Sequence, residues 1–261
     1  MNALSNLAKA GWAAKGSLYV TLGVLAVMAA VGEGGGMSGS RGVLAWVEQQ
    51  PLGRVLLVAA GVGFAAYAIW RFAQAVVDPQ SHDSTGAEVA TRIGWAASGI
   101  LHAGLSVAAF QMFAGSAGSS KKTWLAAAMS WGDWGTWLVG ALGLGAIIAG
   151  AHQLIQAAKL GFMDEVSTAE MSDKEVKALE TVGRFGHGAR GVTFPIIGYF
   201  LIAAAVNHSA SQAKGLGGAL SELARASWLV LAVVAVGLTS YGVLQFFYVR
   251  YRNVEVASDR A

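Results

Sequence analysis

Three segments of the chain are variations on one pattern. Gly11-Trp12-Ala13-Ala14-Lys15-Gly16 returns as Gly94-Trp95-Ala96-Ala97-Ser98-Gly99 and, more loosely, as Gly186-His187-Gly188-Ala189-Arg190-Gly191, each copy opening a long apolar run. A repeat of this kind constrains the fold more than any single element, because whatever one copy builds the others must build in related geometry. The second half of each unit repeats too. Gly63-Phe64-Ala65-Ala66-Tyr67 aligns with Gly145-Ala146-Ile147-Ile148-Ala149 and with Gly237-Leu238-Thr239-Ser240-Tyr241, after which Arg71, Gln153 and Gln245 fall in register. The offsets of these second halves, 82 then 92 residues, nearly match the 83 then 92 of the first halves, so a two-segment unit is used three times.

The solvent of this unit is lipid. With 55% hydrophobic and only 13% charged residues, 261 residues carry too little charge to cover a water-soluble domain. A membrane-crossing helix needs roughly 20 apolar residues for a hydrocarbon core of ~30 Å. Six stretches qualify, at 12–32, 52–77, 94–114, 134–160, 186–207 and 226–250. Lys9 and Lys15 before an apolar core ending Met28-Ala29-Ala30 resemble a cleavable signal, but the two internal counterparts of that segment favour its retention as a helix. Each unit makes an even number of crossings, so successive copies start from the same side and are parallel repeats. The expected fold is an all-α integral membrane protein: six transmembrane helices as three parallel two-helix repeats with pseudo-threefold symmetry. It forms a single membrane domain over 1–261, with repeats at 8–80, 91–163 and 183–253 and a linker at 161–185. Glycine, 35 residues in all, suits helices that approach closely in lipid. The expected packing faces carry Gly16, Gly23, Gly63, Gly99, Gly145, Gly191, Gly198 and Gly237.

Twelve of the 18 basic residues fall on the side of both termini, which predicts a cytoplasmic location for the termini and insertion in the cytoplasmic (inner) membrane. Eleven of the 15 carboxylates share that side, so it is no bare basic patch and nucleic acid is not an expected partner. In the linker, Ser172-Asp173-Lys174-Glu175 fits a capping box and predicts a short cytoplasmic helix. On the opposite side, residues 42–49, 122–130 and 216–224 read as brief interfacial helices, with Trp46, Trp124, Trp131, Trp134, Trp137 and Trp228 as headgroup-level anchors.

Candidate sites are few. Lys15, Ser98 and Arg190 recur near the terminal-side ends of the shorter helices, and Arg71, Gln153 and Gln245 near those of the longer ones. Converging on an axis, Lys15, Arg71, Gln153, Arg190 and Gln245 would form a cationic pocket able to hold an anion or a lipid phosphate. The commoner fate of such side chains is to snorkel to headgroups. His102 and His152 each lie roughly 12 Å inside the membrane on consecutive spans. They could share a metal ion or haem, or simply hydrogen-bond to neighbours. His82, His187 and His208 read as interfacial and solvated. No Asp or Glu falls inside a predicted span, which disfavours ion-coupled transport. The absence of cysteine removes disulfides and thiol chemistry, and no residue set nominates a reaction.

The threefold Gly-aromatic-small-small-basic-Gly opening, followed in the first repeat by Gln50-Pro51-Leu52-Gly53-Arg54, resembles the bacterial membrane family catalogued as domain of unknown function 1206. The resemblance covers the full length. Gly11, Gly94 and Gly186 match its glycines, whereas Trp12, Trp95 and His187 stand where tyrosine is usual and Ser98 replaces a basic residue. It implies a multi-pass inner-membrane protein of three hairpins with no assigned activity. The expected role is a non-enzymatic scaffold or accessory subunit that binds lipid or another membrane protein, with no cofactor. The alternatives are a passive channel or anion pocket along the axis, and a haem or metal protein through His102 and His152.

Overall fold

Long apolar runs with few helix breakers fold as long helices, and the computed structural model describes residues 3–35, 39–77, 86–116 and 124–252. The six spans are α1 (Ala3–Ala30), α3 (Gly53–Val77), α4 (Gly86–Phe113), α6 (Asp133–Lys159), α7 (Asp173–Val206) and α9 (Trp228–Tyr251). The interfacial pieces are α2 (Ser40–Glu48), α5 (Trp124–Met129) and α8 (Leu216–Ala226), one before each longer span. His82, Lys121, Lys122, Arg260 and the repeat margins at 78–80 and 253 lie outside the described residues.

The first, third and fifth spans run further on the terminal side than their hydropathy suggests. The clearest case is α7, where the Ser172 hydroxyl accepts from the Glu175 N–H and the Glu175 carboxylate accepts from the Ser172 N–H. This capping box starts a continuous 34-residue helix, not a separate short one. Nothing between the cap and the membrane breaks the backbone ladder. Pro195 sits inside the span, where its ring meets the bare backbone of Gly150, and a Cβ there would lie 2.5 Å from Pro195 Cδ. A neighbouring helix without a side chain at that point is one way a transmembrane helix tolerates proline.

Pseudo-threefold symmetry is visible contact by contact. A Cβ added to Gly16 would meet the Phe246 ring, one on Gly99 the Phe72 ring and one on Gly191 the Leu154 side chain, three equivalent positions packed on three equivalent positions. Higher up, Gly23 abuts the Ala235 carbonyl, Gly198 abuts the Gly143 carbonyl, and Ser106 donates to the Gly61 carbonyl at 2.8 Å. These contacts join α1 to α9, α3 to α4 and α6 to α7, the three interfaces between repeats. Small residues let the backbones approach where the hydrophobic effect gives no drive between helices.

Within repeats the symmetry breaks. In the first, Gly11 packs against Tyr67 and Gly63 against Ala14; in the third, Gly186 packs against Tyr241 and Gly237 against Ala189. The second repeat keeps the same small residues, yet a Cβ on Gly94 or on Gly145 would meet nothing within 4 Å. Among the described residues α4 and α6 do not pack together as α1 with α3 and α7 with α9 do. The bundle is therefore a ring with one open seam. Gly145, expected on a packing face, lies exposed on it, because the helix it would meet is displaced from it.

On the face away from the termini, Trp131, Trp134, Trp137 and Trp228 are exposed and Trp46 partly so, which suits a headgroup belt. At the terminal end the linker folds back beneath the bundle as two short 3-10 turns, at Gly161–Glu165 and Thr168–Glu170. Ser167 N–H donates to the Tyr251 carbonyl at 3.0 Å, Tyr251 donates to Glu175 at 2.6 Å, and Arg252 pairs with Glu165 at 2.6 Å.

Candidate functional site

The register that aligns the repeats also brings their polar residues to the axis. Lys15 on α1 is only 6% exposed and donates to two phenols, Tyr67 of α3 at 3.2 Å and Tyr241 of α9 at 3.0 Å. Arg71, one turn beyond Tyr67, donates to the same Tyr67 hydroxyl from Nε at 2.9 Å and from Nη2 at 2.6 Å, and to Gln74 at 2.8 Å. Arg190 on α7 donates to the Tyr241 hydroxyl and to Gln153 Oε1 at 3.1 Å. His187 shares that Gln153 oxygen at 2.7 Å. Three cations from three helices thus surround two tyrosines.

Among the described residues no carboxylate pairs with Lys15, Arg71 or Arg190. Lys15 and Arg71 share one phenolic oxygen, and Lys15 and Arg190 share the other, so each pair of charges lies within about 6 Å. At an effective dielectric constant of about 20, each such pair repels by about 3 kcal/mol. The hydrogen-bond inventory is unbalanced in the same sense. An ammonium offers three donors and each guanidinium five, against two phenolic oxygens and the amide oxygens of Gln74 and Gln153. Arg190 Nε is an enclosed donor with no partner, whereas His187, which donates from Nδ1 to Gln153, leaves Nε2 as an unpartnered acceptor, as is Gln156 Oε1. What the cluster lacks is a group with several acceptors and negative charge.

The floor of the cluster is aromatic. Phe162, from the linker, is fully buried, stacks on His187 with ring centroids 5.1 Å apart, and occupies the space that a side chain at Gly183 would need. Trp12 and Tyr248 meet edge to face at 6.0 Å, with the Arg252 guanidinium 5.1 Å from each ring. His187, expected to be solvated, is instead buried, because the linker brings Phe162 up against it.

Four of the five expected pocket residues meet here: Lys15, Arg71, Gln153 and Arg190. Gln245 is buried but donates to the carbonyl of Tyr241 on its own helix at 3.4 Å. His102 and His152 stand on the two helices that flank the seam. His102 bonds the Ser98 carbonyl through Nδ1 at 2.7 Å and meets the Tyr67 ring edge-on at 4.4 Å, while His152 contacts Gln156 at 3.3 Å. No group of three metal-ligating side chains occurs among the described residues. The sequence reading missed Tyr67, Tyr241, His187 and Phe162. The tyrosines had a signal, since each lies four residues before Arg71 or Gln245, on the same helix face.

Fold and site together define a polytopic helical membrane protein built from three tandem hairpins around a cationic, tyrosine-bridged centre. The chain belongs to the family described as Domain of Unknown Function (DUF1206), which matches it three times, at residues 10–78, 93–159 and 185–252. It is 32% identical over 243 residues to "Uncharacterized protein YxxB" of Bacillus subtilis (strain 168), covering 92% of this chain and 88% of that one. No solved structure matches it.

Proposed function

We propose that this protein binds a single anionic group, a phosphate or a carboxylate, at the centre of its bundle between Lys15, Arg71 and Arg190, with no chemical turnover. One observation carries the reading: three mutually repelling cations, with more donors than acceptors, are held in lipid with no carboxylate beside them. Uncompensated charge at membrane depth is costly, so a site built this way favours a counter-anion. Arg190 and Arg71 supply planar forks suited to oxyanions and Lys15 a point charge. The packed tyrosines and the Phe162–Trp12–Tyr248 floor favour a closed pocket over a continuous conduit. The excess of basic residues on the terminal side supports cytoplasmic termini in the cytoplasmic membrane, with the pocket nearer that face. A scaffold role would need a partner on the lipid-facing surface and leaves the charge cluster unexplained.

The test is calorimetric titration of the purified full chain in neutral detergent with glycerol phosphate. Binding should occur and weaken steeply with added salt, and the double variant Lys15→Met with Arg190→Met should lose at least tenfold in affinity while keeping its helical circular dichroism. Absence of binding to wild type, or undiminished binding to the variant, would sink the proposal.

A further inference from the structure

The open seam of the second repeat lies between α4 and α6, the helices that bring His102 and Gln153 to the charge cluster, and large apolar side chains are exposed on both. Leu101 is 61% exposed, whereas its counterparts Leu18 and Thr193 are 6% and 0% exposed. On α6, Ile148 is 61% exposed, where its counterparts Ala66 and Ser240 are 5% exposed and half-buried. The α3–α4 and α6–α7 interfaces are intact, so this exposure belongs to the missing α4–α6 contact. At Gly94 and Gly145 nothing lies within 4 Å of where a Cβ would stand, so neither position is packed against a neighbour.

The cluster borders this seam on both sides. His102 of α4 rests on Tyr67, and Gln153 of α6 accepts from Arg190 and contacts His187. The first and third repeats close their seams with a cation–phenol bond, Lys15 to Tyr67 and Arg190 to Tyr241. At the equivalent positions of the second repeat stand Ser98 and Ala149, too short to bridge and without charge. A hydrocarbon slot beside a donor-rich cationic site, opening sideways into the bilayer, has the chemistry of one ligand class: an acyl chain attached to an anionic head.

We propose that the second-repeat seam is a lateral binding site for an anionic phospholipid, with an acyl chain between α4 and α6 and the phosphate on Lys15 and Arg190. This deepens the pocket reading and rests on it. The lipid enters from within the membrane plane, so its chains never leave hydrocarbon and only the head is transferred to the protein's donors. Electrostatic complementarity selects an anionic over a zwitterionic head, since a choline would add a fourth cation to the cluster.

Native mass spectrometry of the full chain in neutral detergent, titrated with phosphatidylglycerol and separately with phosphatidylcholine, tests it, together with calorimetry against glycerol phosphate. Wild type should retain one phosphatidylglycerol at least tenfold more tightly than phosphatidylcholine. Gly145→Phe and Leu101→Trp fill the slot from positions with free space around them, and should lose the lipid at least tenfold while still binding glycerol phosphate. If these variants keep phosphatidylglycerol as wild type does, the seam proposal fails and the anion pocket stands. If wild type binds neither glycerol phosphate nor the anionic lipid, the pocket itself fails. If the variants leave lipid binding unchanged but release a co-purifying membrane protein, the slot holds a partner helix and the lipid assignment is overturned. Circular dichroism and a single gel-filtration peak confirm that each variant is folded, and a second slot-filling variant guards against one misfolding.

Discussion

Gly11 and Gly94 occupy the same position in two copies of one hairpin, yet alanine should act on them in opposite senses. At Gly11 the new Cβ would lie 2.5 Å from Tyr67 Cβ and 2.7 Å from Tyr67 Cα, about 1 Å inside normal carbon contact. Tyr67 is fully buried and its hydroxyl is held by Lys15 and Arg71, so neither its backbone nor its ring can give way freely. Relief requires α1 and α3 to separate, and overpacking of this kind costs about 1–3 kcal/mol. For a chain of this size that corresponds to a fall in Tm of roughly 3–10 °C. At Gly94 nothing lies within 4 Å, and alanine is the better helix former by roughly 0.5–1 kcal/mol. Gly94→Ala should therefore leave Tm unchanged or raise it by about 2 °C. Thermal unfolding of both variants in one detergent, followed by circular dichroism, decides the matter. Equal destabilisation by the two substitutions would mean that the second seam is as tightly closed as the first, and the open-ring description would be wrong.

Phe162→Ala removes the ring that floors the cluster, and a cavity of that size in a packed core costs about 3–5 kcal/mol, read as a lowered Tm. The same variant should also speed hydrogen exchange around His187, and unchanged exchange there would show that Phe162 does not seal the site. On the opposite face Glu222 accepts from Lys214 at 2.5 Å and from Arg225 at 2.9 Å. First the Lys214 hydrogen bond, then the charges of Lys214 and Arg225, hold its carboxyl below the usual value of 4.5. A depressed carboxylate pKa stabilises the fold above the unfolded value and loses that contribution as pH falls through the folded one. The tie between residue 214 and α8 should therefore persist at neutral pH and loosen only below 4.5, seen as faster amide exchange over 214–226, and loosening already at pH 6 would refute it.

The hairpin repeat was legible because glycine spacing and apolar length are local properties, and each copy vouches for the others. Interfaces between repeats were legible for the same reason: Gly16, Gly99 and Gly191 recur at one position, and all three pack. The open seam was not legible. Gly94 and Gly145 carry the same small-residue signature as Gly11 and Gly63, and a glycine permits close approach without enforcing it. Among the site residues, Lys15, Arg71, Gln153 and Arg190 could be named because repeat register predicts convergence. Tyr67 and Tyr241 stand out in the sequence only as members of the repeat, and their role depends on hydroxyls placed beside cations from other helices. His187 was misread because its burial depends on Phe162, a linker residue whose folding back is set by contacts with α7 and α9 and by no periodicity of its own.

The open seam and the incomplete ring of charge have one physical origin. In the first and third repeats the shorter helix contributes a long cation and the longer helix a tyrosine, and their bond spans the gap between backbones that glycines hold close. Both partners are needed, since a buried cation without its phenol loses a charge-assisted hydrogen bond of about 1.5–3 kcal/mol and a phenol without its cation gains nothing from the approach. The second repeat has neither, with Ser98 and Ala149 at those positions, and it is the repeat whose helices stand apart. With both ends uncharged no charge is orphaned there, so the separation carries no uncompensated electrostatic cost. It also leaves the cluster without a third cation–phenol bridge on that side, where His102 and Gln153 border it instead. An unused hairpin interface thereby offers a lateral approach toward the centre that leaves the packing of the other repeats intact.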